Sequence, residues 1–466
     1  MADFPQAPSY VADPAILKLG DAFYDAVEAA DFPRAILRFR NDRAAAEIGL
    51  AGLSDRQWLD HFARFRPLPG NLPRPLALRY HGHQFRTYNP ELGDGRGFTF
   101  AQMRRLDGAL LELGTKGSGH TPWSRFGDGR LTLKGGVREV LATEMLEALG
   151  VKTSRSFSLI ETGEALQRND EPSPTRSAVL VRMSLGHIRI GTFQRLAYFG
   201  DTENMRRLVD YCLAEMYGVE PGEDPVAQFF ELVVESTAAL AASYMVAGFV
   251  HGVLNTDNIN VMGESFDYGP WRFAPTFDPG FTAAYFDHAG LYAFGRQPDA
   301  ILWNVAQLAV SLRLISEAPP LIERLERFEP LYRRHYAAPL LRRLGLAGGE
   351  ADADRAWQLK DAIDETLIAT QWPIDRFFFD GFGGALPAGY GAEWDRVRTA
   401  LAGFPPLPSG RAHPYFSDAE PCSMLIDEVE TIWSAIDRDD NWSPLHAKVA
   451  AIRRLGEALG SRTAHR

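Results

Sequence analysis

The sequence predicts an α+β chain of two lobes, strand-rich toward the N-terminus and helical toward the C-terminus. Three observations carry this. Between residues 98 and 133, short apolar runs (Phe98-Thr-Phe-Ala-Gln102, Ala109-Leu-Leu-Glu-Leu113) are separated by Gly-rich turns, as in antiparallel strands. One helical stripe follows, Val137, Leu141, Met145 and Leu149, with Gly150 as its stop. Beyond about residue 201 the periodicity is mostly helical, over 203–217, 225–248, 297–315, 319–344, 352–370 and 420–438.

Taken in order, residues 1–75 read as an N-terminal helical extension. Their clearest pattern is 15–30, and they end in Pro67-Leu-Pro-Gly-Asn-Leu-Pro-Arg-Pro75. Residues 76–200 form the N-lobe, with further strands at 154–161 and 178–183 joined by a polar loop. Residues 201–466 form the helical C-lobe. The final helix is signed by Ser443 as N-cap, Pro444 at the first position and Gly460 past its end. Gly-Asp-Gly-Arg occurs at 93–96 and again at 127–130, but the flanks differ, so this is repeated turn chemistry.

Composition narrows the function. With 45% hydrophobic and 23% charged residues, wholesale disorder is excluded. Forty-nine Lys and Arg against 60 Asp and Glu leave a formal charge of −11, which argues against a dedicated nucleic-acid binder. The two cysteines, Cys212 and Cys422, cannot build a disulfide framework or a four-thiolate zinc site. The first residues lack a basic segment followed by an apolar one, so no secretory signal is expected. The longest weakly polar run, 236–250, falls short of the roughly 18–20 residues that span a bilayer. The expectation is a cytoplasmic chain without a membrane segment.

The segment richest in chemistry is Phe249-Val-His-Gly-Val-Leu-Asn-Thr-Asp-Asn-Ile-Asn-Val-Met262. A long helix runs into His251, then a polar loop, and nine residues after Asn258 comes Asp267-Tyr-Gly-Pro270. Protein kinases carry H-R-D-L-x-x-x-N followed by D-F-G. His251, Leu254 and Asn258 hold the His, Leu and Asn positions, and Asp267-Tyr268-Gly269 holds D-F-G. Asn258 and Asp267 supply the hard oxygen ligands that Mg²⁺ takes beside nucleotide phosphates. The kinase base position is Val253, and Asp257 is the nearest substitute carboxylate. Alone, this loop also reads as a plain helix-to-strand turn.

Upstream parts favour the chemical reading. Lys116 ends the run Leu110-Leu-Glu-Leu-Gly-Thr-Lys116, where a strand lysine meets phosphates. Glu139 lies on the next helix off its apolar stripe and is its expected ion-pair partner, with Glu144 as runner-up. The turns Gly93-Asp-Gly-Arg-Gly97 and Gly117-Ser-Gly119 allow backbone N–H groups close to phosphate or ribose. Arg182 and Arg189 flank Leu-Gly-His at a strand end, spaced for two guanidinium groups to converge on one anion.

Longer motifs then point to a family. Tyr88-Asn-Pro-Glu-Leu-Gly-Asp-Gly-Arg96, Lys116-Gly-Ser-Gly-His-Thr-Pro-Trp-Ser-Arg-Phe-Gly-Asp-Gly-Arg130, Arg138-Glu139, His187-Ile-Arg-Ile-Gly-Thr-Phe193 and His251-Gly-Val-Leu-Asn-Thr-Asp-Asn258 resemble the selenoprotein O, or YdiU, family. The resemblance is dense over residues 75–310. It implies a protein-kinase-like fold that binds ATP in a flipped orientation and transfers AMP to Ser, Thr or Tyr hydroxyls of proteins. It further implies nucleotide contacts from Gly93, Gly95, Arg96, Lys116, Asp128, Gly129, Arg182, Arg189 and Asp267. Asp257 becomes the proton acceptor, Asn258 and Asp267 the Mg²⁺ ligands, and Glu139 the partner of the lysine. UMP transfer and Mn²⁺ are also attributed to the family, so nucleotide and metal stay open.

Two departures stand out. Where the family reads H-Q-F-G-G, this chain has His83-Gln-Phe-Arg-Thr87, and its last residues lack the family's frequent C-terminal Cys-x-x-Sec or Cys-x-x-Cys. Redox control is therefore not expected. The competing readings are a kinase-like phosphotransferase and an inactive nucleotide-binding scaffold.

Overall fold

The computed structural model describes residues 9–169 and 171–460. The two ends read above for a signal and for cysteines, 1–8 and 461–466, lie outside them. The strands in chain order are β1 (Tyr24–Ala26), β2 (Ile36–Arg40), β3 (Leu76–Leu78), β4 (Gly82–Gln84), β5 (Thr87–Asn89), β6 (Thr99–Arg104), β7 (Leu110–Lys116), β8 (Leu131–Thr132), β9 (Arg155–Leu166), β10 (Thr175–Ser184), β11 (Phe249–Val250) and β12 (Arg272–Phe273). Eight of them form one antiparallel sheet in the order β1-β3-β6-β7-β10-β9-β2, with β8 on β10. β4 and β5 make a separate hairpin, and β11 pairs with β12.

The helices are α1 (Asp42–Glu47), α2 (Asp55–Phe62), α3 (Leu133–Ala148), α4 (Ile190–Tyr198), α5 (Thr202–Tyr211), α6 (Pro225–Ala247), α7 (Gln297–Leu312), α8 (Ala318–Leu325), α9 (Phe328–Arg343), α10 (Ala353–Thr370), α11 (Ile374–Asp380), α12 (Asp395–Leu401), α13 (Ile426–Asp439) and α14 (Ser443–Ala458). The chain is thus α+β, with its main sheet before residue 185 and its helices massed after it. α3 packs on β9 and β10 and carries α14 on another face. Its residues Val137, Val140, Leu141 and Met145 are fully buried there. That packing fixes Glu139, on the same helix, relative to the end of β7.

Residues 9–75 hold the helices α1 and α2, but they also add strands to the main sheet. The 15–30 pattern becomes a 3₁₀ turn, Ala15–Leu19, stopped at Gly20 with φ 83°, and then the edge strand β1, whose Tyr24 pairs with Leu78. Ala15, Ile16, Leu19 and Phe23 are buried against the core by this docking, so the apolar spacing served packing rather than a helix. β2 likewise joins the sheet, on β9. The expected helix 319–344 is two helices, α8 and α9, and both pack on α6. The expected 420–438 helix starts only at Ile426, after Pro421 and an extended Leu425. The cap of α14 shifts by one residue: Trp442 is the N-cap, Ser443 begins the helix, and the Ser443 N–H donates to Asn441 Oδ1 at 3.1 Å.

α6 passes the length and composition test for a membrane span, which the shorter run 236–250 does not. It is a core helix here: 67% of its apolar window is buried inside the protein. Its C-terminus turns at Gly248, with φ 68°, and delivers the chain through β11 into His251.

Candidate active site

A cleft of about 810 Å³ opens between the sheet and the loops after α6. Its lining brings together Gly93, Gly95, Arg96, Lys116, Asp128, Gly129, Arg182, Asp257, Asn258 and Asp267, which are spread over 175 positions of sequence. Two predicted residues, Glu139 and Arg189, stand behind the lining, each 2% exposed.

Lys116 ends β7 and is 5% exposed. Its Nζ lies 2.6 Å from Glu139 Oε2 and 3.2 Å from Asp267 Oδ1. The runner-up Glu144 is excluded, because its carboxylate is bound by Arg453 at 2.7 and 2.8 Å on the far side of α3. Arg182, on β10, donates from Nη1 to Asp267 Oδ1 at 2.6 Å, and Arg189 donates from Nη1 to Asp267 Oδ2 at 3.0 Å. The two arginines do converge on one anion, and in this structure that anion is the carboxylate of Asp267. Burial alone would raise the Asp267 carboxyl, but Arg182, Lys116 and Arg189 outweigh it and hold it well below the ordinary value.

The loop after β11 is pinned at both ends. The His251 N–H donates to Gln297 Oε1 at 3.0 Å, and His251 Nε2 reaches the Phe266 carbonyl at 3.0 Å. The histidine thereby ties this loop to the segment that presents Asp267. Asp257 and Asn258 sit on a 3₁₀ turn, Thr256–Asn258. Asn258 donates from Nδ2 to the Val253 carbonyl at 2.9 Å, which leaves its Oδ1 for another partner. Asp257 Oδ1 is buried with no hydrogen-bond partner among the described residues. Burial pushes the Asp257 carboxyl up to about 6, against the pull of Arg189. Val253 also faces the cleft, so a carboxylate is missing where a kinase keeps its base.

The glycine turns have a different first cause from the expected one. A Cβ on Gly93 would lie 2.4 Å from the Trp123 ring, and one on Gly95 would lie 2.8 Å from the Trp123 carbonyl. Close packing under Trp123 therefore requires these glycines before any ligand arrives. Asp128 reaches the cleft but is held by Arg168 at 2.7 Å.

Sequence reading missed the groups that hold the arginines. Arg182 donates from Nε to His187 Nε2 at 2.9 Å, and His187 Nδ1 bonds Glu112, which also accepts from Thr99 and Gln102. Arg189 stacks on Tyr80 at 4.2 Å and reaches Asp94 Oδ1 at 3.4 Å. The signal for Glu112 was present: a lone carboxylate in an otherwise apolar strand needs a buried cationic or donor partner.

A strand lysine paired to a helix glutamate, with an Asn and an Asp on facing loops, is the kinase arrangement of parts. The chain matches the family described as protein adenylyltransferase SelO over residues 9–381. It belongs to that family. A protein nucleotidyltransferase YdiU of Synechocystis is 44% identical over 95% of this chain and 97% of its own. The YdiU of Gloeobacter violaceus is 45% identical over 95% of each chain, and that of Azotobacter vinelandii 38% over 72% and 68%. A solved rhoptry antigen kinase domain of Toxoplasma gondii overlaps 64% of this chain and 84% of its own at 13% identity, with a TM-score of 0.28, too little to bear on the fold. This SelO-family chain is a nucleotidyltransferase on an α+β fold, with a nucleotide as substrate.

The donor set suits a divalent metal. Among the described residues no three His, Cys, Asp or Glu side chains form a metal cluster. Mg²⁺ in nucleotide sites needs only one or two protein oxygens besides phosphate and water. Asn258 Oδ1, the Asp267 carboxylate and the unpartnered Asp257 Oδ1 are hard oxygens on one cleft wall.

Proposed function

We propose that this chain transfers AMP from ATP to Ser, Thr or Tyr hydroxyls of proteins, releasing pyrophosphate. The observation that carries the reading is the buried trio Lys116, Arg182 and Arg189 around one anion position, with Val253 where a kinase base would stand. Such a trio is built to hold the β- and γ-phosphates as a leaving group. With the triphosphate end gripped there, the α-phosphorus is the atom left toward the acceptor. The hydroxyl oxygen bonds to the α-phosphorus, the bond to the bridging oxygen breaks, and pyrophosphate departs with that electron pair.

The acceptor proton passes to Asp257, whose buried carboxyl, raised to about 6, is a stronger base than an exposed aspartate. Asn258 and Asp267 would hold Mg²⁺, with Mn²⁺ as the alternative. The ion supplies charge neutralisation of the phosphates. Lys116 and the two arginines orient the triphosphate, Glu139 positions Lys116, and Gly93, Gly95, Arg96, Asp128 and Gly129 line the path of the rest of the nucleotide. UMP transfer from UTP is the nearest variant of the same chemistry. The free thiols Cys212 and Cys422 suit a reducing, cytoplasmic location.

Labelled ATP tests this. α-Phosphate label should enter protein, including the enzyme itself, while γ-label should not, and released pyrophosphate should match the incorporated label. Incorporation from γ-label alone would establish the phosphotransferase reading instead. Bound ATP with no incorporation from either label would leave a scaffold.

A further inference from the structure

The turn joining β4 and β5 is made by Phe85 and Arg86, between the paired Gln84 and Thr87. Phe85 and Arg86 both adopt left-handed backbone, with φ 48° and 63°. A two-residue hairpin turn asks for that conformation, and glycine enters it without strain. This chain keeps the strained backbone and places an arginine on it. Strain retained at an exposed turn directs attention to what the side chain does.

The hairpin is fixed to the loop that carries Asp257. The His83 N–H donates to Thr256 Oγ1 at 2.6 Å, and the Phe85 N–H donates to Asn255 Oδ1 at 3.0 Å. The Tyr292 hydroxyl donates to the same Asn255 oxygen at 2.7 Å, and its ring lies 5.0 Å from that of Phe85. Gly82 comes so near that a Cβ on it would lie 3.1 Å from Asp257 Oδ1. Gln84, two residues before Arg86, lines the cleft. The turn is therefore held beside the proposed proton acceptor.

Arg86 is exposed, and no carboxylate stands within ion-pair distance of it among the described residues. Its guanidinium lies 5.3 Å from the centre of the Trp303 ring, with His83 packed edge-on against the same ring at 5.3 Å. A guanidinium placed over an aromatic face keeps its N–H edges for a bidentate carboxylate. Arg125, which also lines the cleft, is likewise exposed and has no ion-pair partner among the described residues. In a chain of net charge −11, Arg125 on the cleft and Arg86 on the hairpin bonded to the Asn255–Thr256 loop are two exposed cations on this side of the molecule.

We propose that Arg86 is a specificity-determining residue that selects acceptor segments carrying an acidic residue next to the modified hydroxyl. This rests on the reading of Asp257 as the proton acceptor. The partner chemistry is an acidic, hydroxyl-bearing peptide stretch of another protein.

The test uses the full chain with Mg²⁺, α-labelled ATP and serine peptides flanked by glutamate, glutamine or lysine. Wild-type kcat/KM should fall from the glutamate peptide to the lysine peptide by about fivefold per step, the range of one exposed charge pair, and the preference should shrink at high salt. Arg86→Gly suits the left-handed turn, so it should fold, and it should flatten the order. Arg86→Glu should invert it. Both should bind ATP within about twofold of wild type, the scatter allowed for a residue that never touches nucleotide. Persistence of the wild-type order in both variants would overturn the proposal, as would equal labelling of all three peptides by the wild type. Weakened ATP binding in Arg86→Gly would place Arg86 on the nucleotide and overturn it too. No α-label on any peptide or on the enzyme would instead sink the adenylyl-transfer reading, and this proposal with it.

Discussion

Lys116 Nζ and Glu139 Oε2 stand 2.6 Å apart, both almost wholly out of water, and one step further Lys116 meets Asp267 at 3.2 Å. A buried ammonium between two carboxylates has its position fixed from both sides. Glu139 belongs to α3 and Asp267 to the loop after α6, so this lysine is where sheet, helix and loop meet.

The pair should therefore behave as one unit. Lys116→Met, Glu139→Gln and the double variant should cost nearly the same in kcat/KM. The coupling energy should be about 1–3 kcal/mol, as for residues in one ion-pair network. Additive losses would separate Glu139 from the lysine. Glu144→Gln is the control: it removes the charge that pairs with Arg453, lowers stability, and leaves kcat/KM unchanged.

What was legible in the sequence followed from residue type. Lys116 could be read as a lysine ending an apolar strand, Glu139 as a glutamate off the apolar stripe of α3, and Asn258 and Asp267 from their spacing after His251. β6, β7, β9 and β10 were legible from apolar runs between turns, and α3 from its stripe, whereas the edge strands β1 and β2 were not. The docking of 15–26 was not, because Ala15, Ile16 and Leu19 have helical spacing but bury themselves in a single 3₁₀ turn against the core. The His187–Glu112 support of Arg182 was not legible either. It joins residues 75 positions apart, and only strand pairing brings β7 and β10 together.

Glu264 offers a test by pH that is independent of catalysis. Its Oε2 accepts from the Leu185 N–H at 3.0 Å, and burial pushes its carboxyl up to about 7 despite Lys152 and Arg155. The folded value lies above the unfolded one, so the native state binds the extra proton. The cost of ionising it is absent below the unfolded pKa, grows as pH rises, and is complete above about 7. Glu264→Gln removes that cost. Relative to wild type, the variant should gain about 3 kcal/mol between pH 4 and pH 8. Denaturant unfolding at the two pH values measures it. A difference that does not change with pH would mean that Glu264 titrates as an exposed carboxyl.

The thiols should be silent. Cys212 is fully buried and Cys422 partly so, and neither is in a disulfide. Burial pushes the Cys422 thiol up to about 11 and the Cys212 thiol higher still, so little reactive thiolate exists at neutral pH. Transfer should not respond to reductant, and a thiol reagent should label the native chain slowly, at Cys422 first. A several-fold rise in activity on reduction, lost in Cys422→Ser, would reverse this.

Asp267 carries the sharpest expectation, because it answers to three cations at once. Asp267→Asn keeps the shape of the side chain and removes its charge. Lys116 retains Glu139, but Arg182 and Arg189 lose their nearest counter-charge while buried. Removing one partner of such a buried group costs about 3–5 kcal/mol, so the free variant should melt well below wild type. The same uncompensated charge should draw in polyphosphate. Pyrophosphate without metal should bind the variant more tightly than the wild type, where Asp267 competes for the arginines, and should raise its melting temperature by more. Transfer should be lost even under conditions where the variant is fully folded, since the charged metal ligand has become a neutral amide. Retained Mg²⁺-dependent transfer would take Asp267 out of the metal site. Stabilisation by pyrophosphate no greater than in wild type would show that Lys116, Arg182 and Arg189 are a structural cluster, not a cradle for the leaving group.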